Sequence, residues 1–174
     1  MRTEWIAKEE LGHLLAALMP ENRLALEISM ATGLRINDVL SLKTQDIMTT
    51  SNGRVTIKEQ KTGKSRRVYF PVEMRQRMRI LAGRLYVFEH RNDWRKHRTR
   101  QAVFKDLKRV VKIFRLKQNI APHSARKAFA VEMYHKTGDL YRVKRLLNHN
   151  NEAVTVLYAM ADELTARRLR NNKH

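Results

Sequence analysis

Apolar residues recur along most of this chain with the 3.6-residue period of an α-helix, and one internal stretch breaks that period. This switch constrains the fold more than any other feature, because each period needs its own way of burying apolar surface. Between Ala7 and Met19, Leu11, Leu14, Leu15 and Leu18 share one helical face, and Pro20 ends that run or starts the next. Leu24, Ala25, Ile28 and Ala31 carry the pattern on from Glu21, and Thr32-Gly33 breaks it at a C-cap. Ile36, Val39, Leu40 and Leu42 predict a short third helix. The segments Asp46-Ile47-Met48, Arg54-Val55-Thr56-Ile57 and Arg66-Arg67-Val68-Tyr69-Phe70 are instead short and β-prone. Ser51-Asn52-Gly53 and Lys61-Thr62-Gly63-Lys64 lie between them as turns, and Pro71 closes the stretch.

Helical periodicity then resumes. Met74, Met78, Leu81 and Leu85 line one side of Val72 to Leu85, and Val103, Leu107, Val110, Val111 and Phe114 do so over Thr99 to Phe114. Pro122 suits the first turn of a helix running to about Tyr134. Asp139 to Leu147, Glu152 to Tyr158 and Asp162 to Arg170 complete the set. His90 to Arg100, dense in Arg and Lys around Trp94, reads as the least structured segment. The expected fold is therefore mainly α with a small antiparallel three-stranded β-sheet, an α+β arrangement. No internal repeat, low-complexity tail or clear linker divides the 174 residues, so a single domain over 1–174 is expected.

Charge narrows the partners. The 36 Lys+Arg against 17 Asp+Glu leave a net charge of +19, a field that attracts polyanions. Double-stranded DNA is the leading partner, since neutralising phosphates releases counterions. A ribosomal protein, a membrane-surface binder or merely a very soluble domain would share the same basicity. There is no cysteine, which excludes disulfides and thiolate chemistry. No apolar run approaches the length of a bilayer span, and Met1-Arg2-Thr3-Glu4-Trp5 lacks a signal-peptide layout, so a cytoplasmic protein without membrane partners is expected.

Several polar side chains stand where chemistry could use them. Arg35 follows Thr32-Gly33-Leu34 in a turn between helices, and Asp38 lies three residues on, within reach to orient a guanidinium. Lys61 sits in a flexible hairpin turn, from which a lysine can reach into a site and protonate a leaving oxygen. His123 and Arg126, three apart, share a helical face, and His123 falls in the first turn, where backbone N–H groups favour a phosphate. His149 follows Leu146-Leu147-Asn148, where Asn ends a helix, and Tyr158 lies nine residues further on in a short apolar helix. Taken singly, these are ordinary solvated arginines, turn lysines, capping histidines and half-buried tyrosines. The seven histidines show no HxxxH spacing and no attendant carboxylates, so no metal site is expected.

Taken together, Ala31-Thr32-Gly33-Leu34-Arg35-Ile36-Asn37-Asp38, Lys61 in its hairpin, His123-x-x-Arg126, Leu147-Asn148-His149 and Tyr158 resemble the catalytic domain of the tyrosine recombinase, or phage integrase, family. The intervals match as well: 23 residues from Arg126 to His149 (149 − 126) and nine to Tyr158. The likeness runs from about Glu9 to Ala166. Two local departures stand out: Asn148 replaces the usual Gly, with little change expected since Asn tolerates a left-handed backbone, and Ala125 replaces the commoner Leu, which should loosen packing there. Most members carry an N-terminal core-binding domain, and with the helical run starting almost at Met1, none is expected here.

The resemblance implies a site-specific recombinase or integrase that acts without metal, nucleotide or other cofactor. Arg35 and Arg126 would clamp the non-bridging oxygens of a DNA phosphate, and His149 would add a donor. Tyr158 would attack, His123 would take its proton, and Lys61 would protonate the leaving 5′-oxygen. It also implies a bacterial or phage-encoded, nucleoid-associated protein, monomeric when free and tetrameric on paired DNA sites. The tail, Asp162 to His174, with Leu164 and Leu169 as anchors, would pack on a neighbouring subunit or fold back on its own domain. Lys64, Arg66 and Arg67 on the hairpin, with Arg95, Lys96, Arg98 and Arg100, are expected phosphate contacts. A type IB topoisomerase would use similar residues to relax supercoils, and a non-catalytic DNA-binding accessory protein would account for the charge alone.

Overall fold

Three of the buried positions on α2 (Pro20–Thr32), Leu24, Ala25 and Ile28, are 0% exposed, and the other helices are arranged around it. The computed structural model describes residues 8–148. α1 (Lys8–Ala16) packs on α2 through Leu11, Leu14 and Leu15, and α3 (Ile36–Leu40) comes after a tight turn. α5 (Val72–Leu81), α6 (Arg100–Ile113) and α7 (Pro122–Thr137) also lie against α2, and α8 (Leu140–Leu147) packs on α7. The polar residues buried on α2 are all bonded. The Asn22 amide donates to Asp106 at 2.7 Å, the Ser29 hydroxyl to the Leu34 carbonyl at 2.7 Å, and the Thr32 hydroxyl to the Ile28 carbonyl at 2.6 Å. Such pairing matters because an unpaired buried polar group costs about 1–3 kcal/mol.

The sheet content differs from the expected three strands. β1 (Arg54–Lys58) and β2 (Ser65–Tyr69) form an antiparallel pair with Val55 opposite Val68, burying Val55, Ile57 and Val68 against the helices. Asp46-Ile47-Met48 is no third strand; it belongs to α4 (Thr44–Thr49), where Ile47 is the buried residue. The reason is tertiary. Arg79 and Arg75 of α5 donate to the carbonyls of Ile47 and Thr50, both at 3.3 Å, which satisfies the C-terminal end of α4. A three-residue β-prone run carries no trace of those partners.

The segment expected to be least structured is a second antiparallel pair, β3 (Glu89–His90) and β4 (Asp93–His97), with a bulge between Glu89 and His90. Phe88, just before it, is 1% exposed, and its carbonyl accepts the Arg98 N–H at 2.6 Å. β4 reads Asp-Trp-Arg-Lys-His and lies largely in solvent, so it has no apolar alternation for a sequence pattern to detect. Among the described residues no helix is long and apolar enough to cross a membrane.

Both α2 and α8 end in left-handed caps. α2 stops at Gly33 with φ +68°, whose N–H donates to the Ser29 carbonyl at 2.9 Å. α8 stops at Asn148 with φ +54°, the left-handed cap its sequence position implied.

Candidate functional site

Arg35 is the residue before α3, held extended at φ −66°, ψ 145° by the turn that follows Gly33. His123 is the second residue of α7 and Arg126 comes one turn later. Lys61 stands at the tip between β1 and β2, in a loop closed by Glu59 N–H to Lys64 carbonyl at 2.9 Å and Gly63 N–H to Glu59 carbonyl at 2.8 Å. These four side chains, from three separate parts of the chain, line one cavity of about 560 Å³ together with Asp38, Gln60 and Arg100. Gln101 and Phe104 of α6 and Ala121 and Pro122 at the start of α7 complete its wall. The described chain ends at Asn148, so His149 and Tyr158 lie outside the described residues.

Arg126 is 1% exposed. It donates to the Gly33 carbonyl at 2.8 Å and to the Leu147 carbonyl, so it ties the ends of α2 and α8 to the cavity wall. A buried guanidinium with this backing presents a fixed cation to an anion. Gly33 is packed as closely as its conformation suggests: a Cβ there would sit 2.5 Å from Cδ1 of Phe129. Ala125 is 1% exposed within the main core.

The expected partner of Arg35 was Asp38, and here the structure corrects the sequence. Arg35 donates to Glu59, a carboxylate with 0% exposure, whereas Asp38 accepts the Gln60 N–H at 2.9 Å and so pins the hairpin to α3. Three residues of spacing placed Asp38 near Arg35, but the hairpin backbone takes the Asp38 carboxylate instead. Burial pushes the Asp38 carboxyl up, the Gln60 N–H opposes this, Glu59 adds to it, and Arg35 and Arg126 lower it; the net direction is upward.

His123 is pushed down to about 4, first by desolvation and then by the charges of Arg126, Lys127, Arg35 and Lys61. His123 is nonetheless an exposed residue of the cavity wall, so water tempers the first of these causes. Both effects favour a neutral imidazole, the form that accepts a proton. Among the described residues no three His, Cys, Asp or Glu side chains converge on a point that could hold a metal ion.

The expected DNA-contact residues divide. Lys64 and Arg67 are exposed on the hairpin, and Arg100 borders the cavity. Arg95 and Lys96 are exposed on β4 and pair with Asp93 at 3.2 and 3.1 Å. Arg66 and Arg98 turn inward instead. Arg66 donates to the carbonyls of Leu146 and Thr32 and lies 3.7 Å from Glu59, while Arg98 donates to Asn22 at 2.6 Å. Burial lowers the Arg66 guanidinium, partly offset by Glu59 and Asp38 and reinforced by Arg35. Glu59 is the residue that sequence reasoning missed. Its signal was the inward alternation of Val55 and Ile57, which, carried one step further, places an acid on the core side.

A mainly helical domain that gathers cations from three chain segments around one cavity is a fold for gripping an anion. The phage integrase family pattern matches residues 4–164, and the chain belongs to that family. It is 27% identical over 163 residues to a tyrosine recombinase of Thermosipho africanus (strain TCF52B), covering 89% of this chain and 56% of that protein. It is 31% identical over 160 residues to the tyrosine recombinase XerC of Staphylococcus saprophyticus, covering 88% and 53%. The chain thus spans about half the length of these relatives. Its fold is that of the tyrosine recombinase catalytic domain. The XerH recombinase, solved with palindromic difH substrate after cleavage, superposes with a TM-score of 0.72 at 23% identity, covering 93% of this chain and 52% of that one. Lambda integrase, solved as a dimer on a COC′ core site, gives 0.72 at 20% identity, covering 91% and 60%.

Proposed function

We propose that this protein cleaves and rejoins DNA strands at specific sites through a 3′-phosphotyrosyl intermediate. The observation that carries the reading is the cavity that gathers Arg35, Lys61, His123 and Arg126 in a chain of net charge +19. A phosphodiester is anionic and resists nucleophiles, so charge neutralisation and positioning do most of the work. Arg35 and Arg126 take the non-bridging oxygens, and His149 adds a donor. The Tyr158 oxygen attacks phosphorus as its proton passes to neutral His123, which is needed because a free phenol ionises only near pH 10. The bond to the 5′-oxygen breaks, and Lys61 supplies the proton that makes it a 5′-hydroxyl. A 5′-hydroxyl of another duplex then attacks the phosphotyrosine, re-forms the phosphodiester and frees Tyr158.

Double-stranded DNA is the partner. Lys64, Arg67, Arg95, Lys96 and Arg100 hold its backbone, and four copies act on paired sites, with the segment around Leu164 and Leu169 passing to a neighbour or folding back. The relatives of known structure that were solved on DNA, lambda integrase among them as a dimer, support the DNA partner, as does the basic charge; Leu164 and Leu169 lie outside the described residues. Nicked DNA in which the strand beyond the cut diffuses away traps the adduct. The unaltered protein should accumulate it, and Tyr158→Phe should form none while retaining DNA binding. An undiminished adduct from Tyr158→Phe removes Tyr158 as the nucleophile.

A further inference from the structure

Glu59 is 0% exposed in a protein where basic residues outnumber acidic ones two to one. Its Oε2 accepts from Arg35 and from the Thr62 hydroxyl at 3.1 Å, and its Oε1 lies 3.7 Å from the Arg66 Nε. Its backbone also closes the loop that carries Lys61. One carboxylate therefore stands between two guanidinium groups that would otherwise repel each other. Of the two, Arg66 is anchored elsewhere, on the carbonyls of Thr32 and Leu146. The Arg35 guanidinium has no other hydrogen bond or ion pair among the described residues. Asp38 is held differently: its Oδ1 accepts the Gln60 N–H, and neither of its oxygens accepts a hydrogen bond from Arg35.

We propose that Glu59 is a positioning residue for Arg35: its buried charge aims the guanidinium into the cavity at the phosphate. The proposal rests on the recombination reading. Without the carboxylate, Arg66 pushes Arg35 away, and its fork can turn to solvent. Misplacing one binding group by about an ångström can cost on the order of 100-fold in rate.

The test compares adduct formation, in single turnover, on two nicked substrates. One carries the natural phosphodiester at the cut; the other carries a methylphosphonate, which has lost one charged oxygen and with it much of the need for Arg35. Glu59→Gln, checked for a cooperative thermal melt, should lose on the order of 30- to 100-fold on the phosphodiester. On the neutral substrate its deficit should shrink to within about threefold of the unaltered protein, as should that of Arg35→Ala. A folded Glu59→Gln that reacts normally overturns the proposal, and so does a deficit of equal size on both substrates, which a general loosening of structure would cause. Should Glu59→Gln not fold, Thr62→Val decides, since it removes one hydrogen bond to Glu59 from a half-buried loop position. A severalfold loss confined to the phosphodiester supports the positioning role, and equal rates overturn it. If the unaltered protein forms no adduct, the recombination reading itself falls, and this inference with it.

Discussion

Replacing Gly33 by alanine tests how the fold sets the site. Gly33 has φ +68°, a conformation that costs a residue with a Cβ about 1–2 kcal/mol. The new methyl would also lie 2.5 and 2.6 Å from Cδ1 and Cε1 of Phe129, closer than any stable contact, and 3.2 Å from Cδ2 of Leu147. Phe129 is 6% exposed on α7, so it has little room to yield, and overpacking of this kind typically costs about 1–3 kcal/mol. The two terms together predict a loss of about 2–5 kcal/mol, a large share of the stability of an ordinary domain. Gly138→Ala is the control. It also has positive φ, at +63°, but nothing lies within 4 Å of its Cβ, so only the backbone term of about 1–2 kcal/mol applies. Urea denaturation of both variants measures the difference. The wedge should also disturb catalysis, because the Gly33 carbonyl accepts from Arg126 and Phe129 lies one turn beyond that arginine. If Gly33→Ala costs no more than Gly138→Ala, the close packing of α2 against α7 is not what holds Arg126 in place.

Other outcomes rest on particular side chains. Lys61→Ala should cut adduct formation on normal DNA and recover on a 5′-thio leaving group, which barely needs an acid; failure to recover would exclude the proton-donor role. An NMR titration of His123 should give a midpoint well below 6.5, since the folded protein disfavours the imidazolium, and a midpoint at or above 6.5 would refute the four-cation environment. Because the folded value is depressed, the neutral-histidine contribution to stability is fully present above about 6.5 and is lost as pH falls through about 4. Arg66→Ala should destabilise the fold by on the order of 3 kcal/mol, because it strips Glu59 of a partner and leaves two carbonyls unpaired. Its neighbour Arg67 is exposed, so Arg67→Ala should change stability by less than about 0.5 kcal/mol yet lower the salt dependence of DNA binding by about one ion. Equal stability of the two arginine variants in urea would contradict the inward placement of Arg66.

The main helices and the β1–β2 hairpin were legible in the sequence because each buries a regular stripe, and a stripe leaves its period in the order of residues. Leu11, Leu14, Leu15 and Leu18 share a face whatever they pack against, and Asn148 caps α8 by its own backbone preference. The residue types and intervals of Arg35, Lys61, His123 and Arg126 could likewise be read, since they are properties of the chain. Other features were decided only in three dimensions. Ile47 sits in a helix because distant arginines of α5 donate to the carbonyls at its end, and β4 pairs through backbone groups that its charged side chains do not advertise. Arg66 and Arg67 are adjacent and of one type, yet one holds the interior together and the other faces water. Which carboxylate would grip Arg35 was settled the same way, by the hairpin bringing Glu59 to it and a backbone N–H to Asp38. A periodic pattern records that a side chain is buried; it cannot record what that side chain meets, because the partner comes from a distant part of the chain.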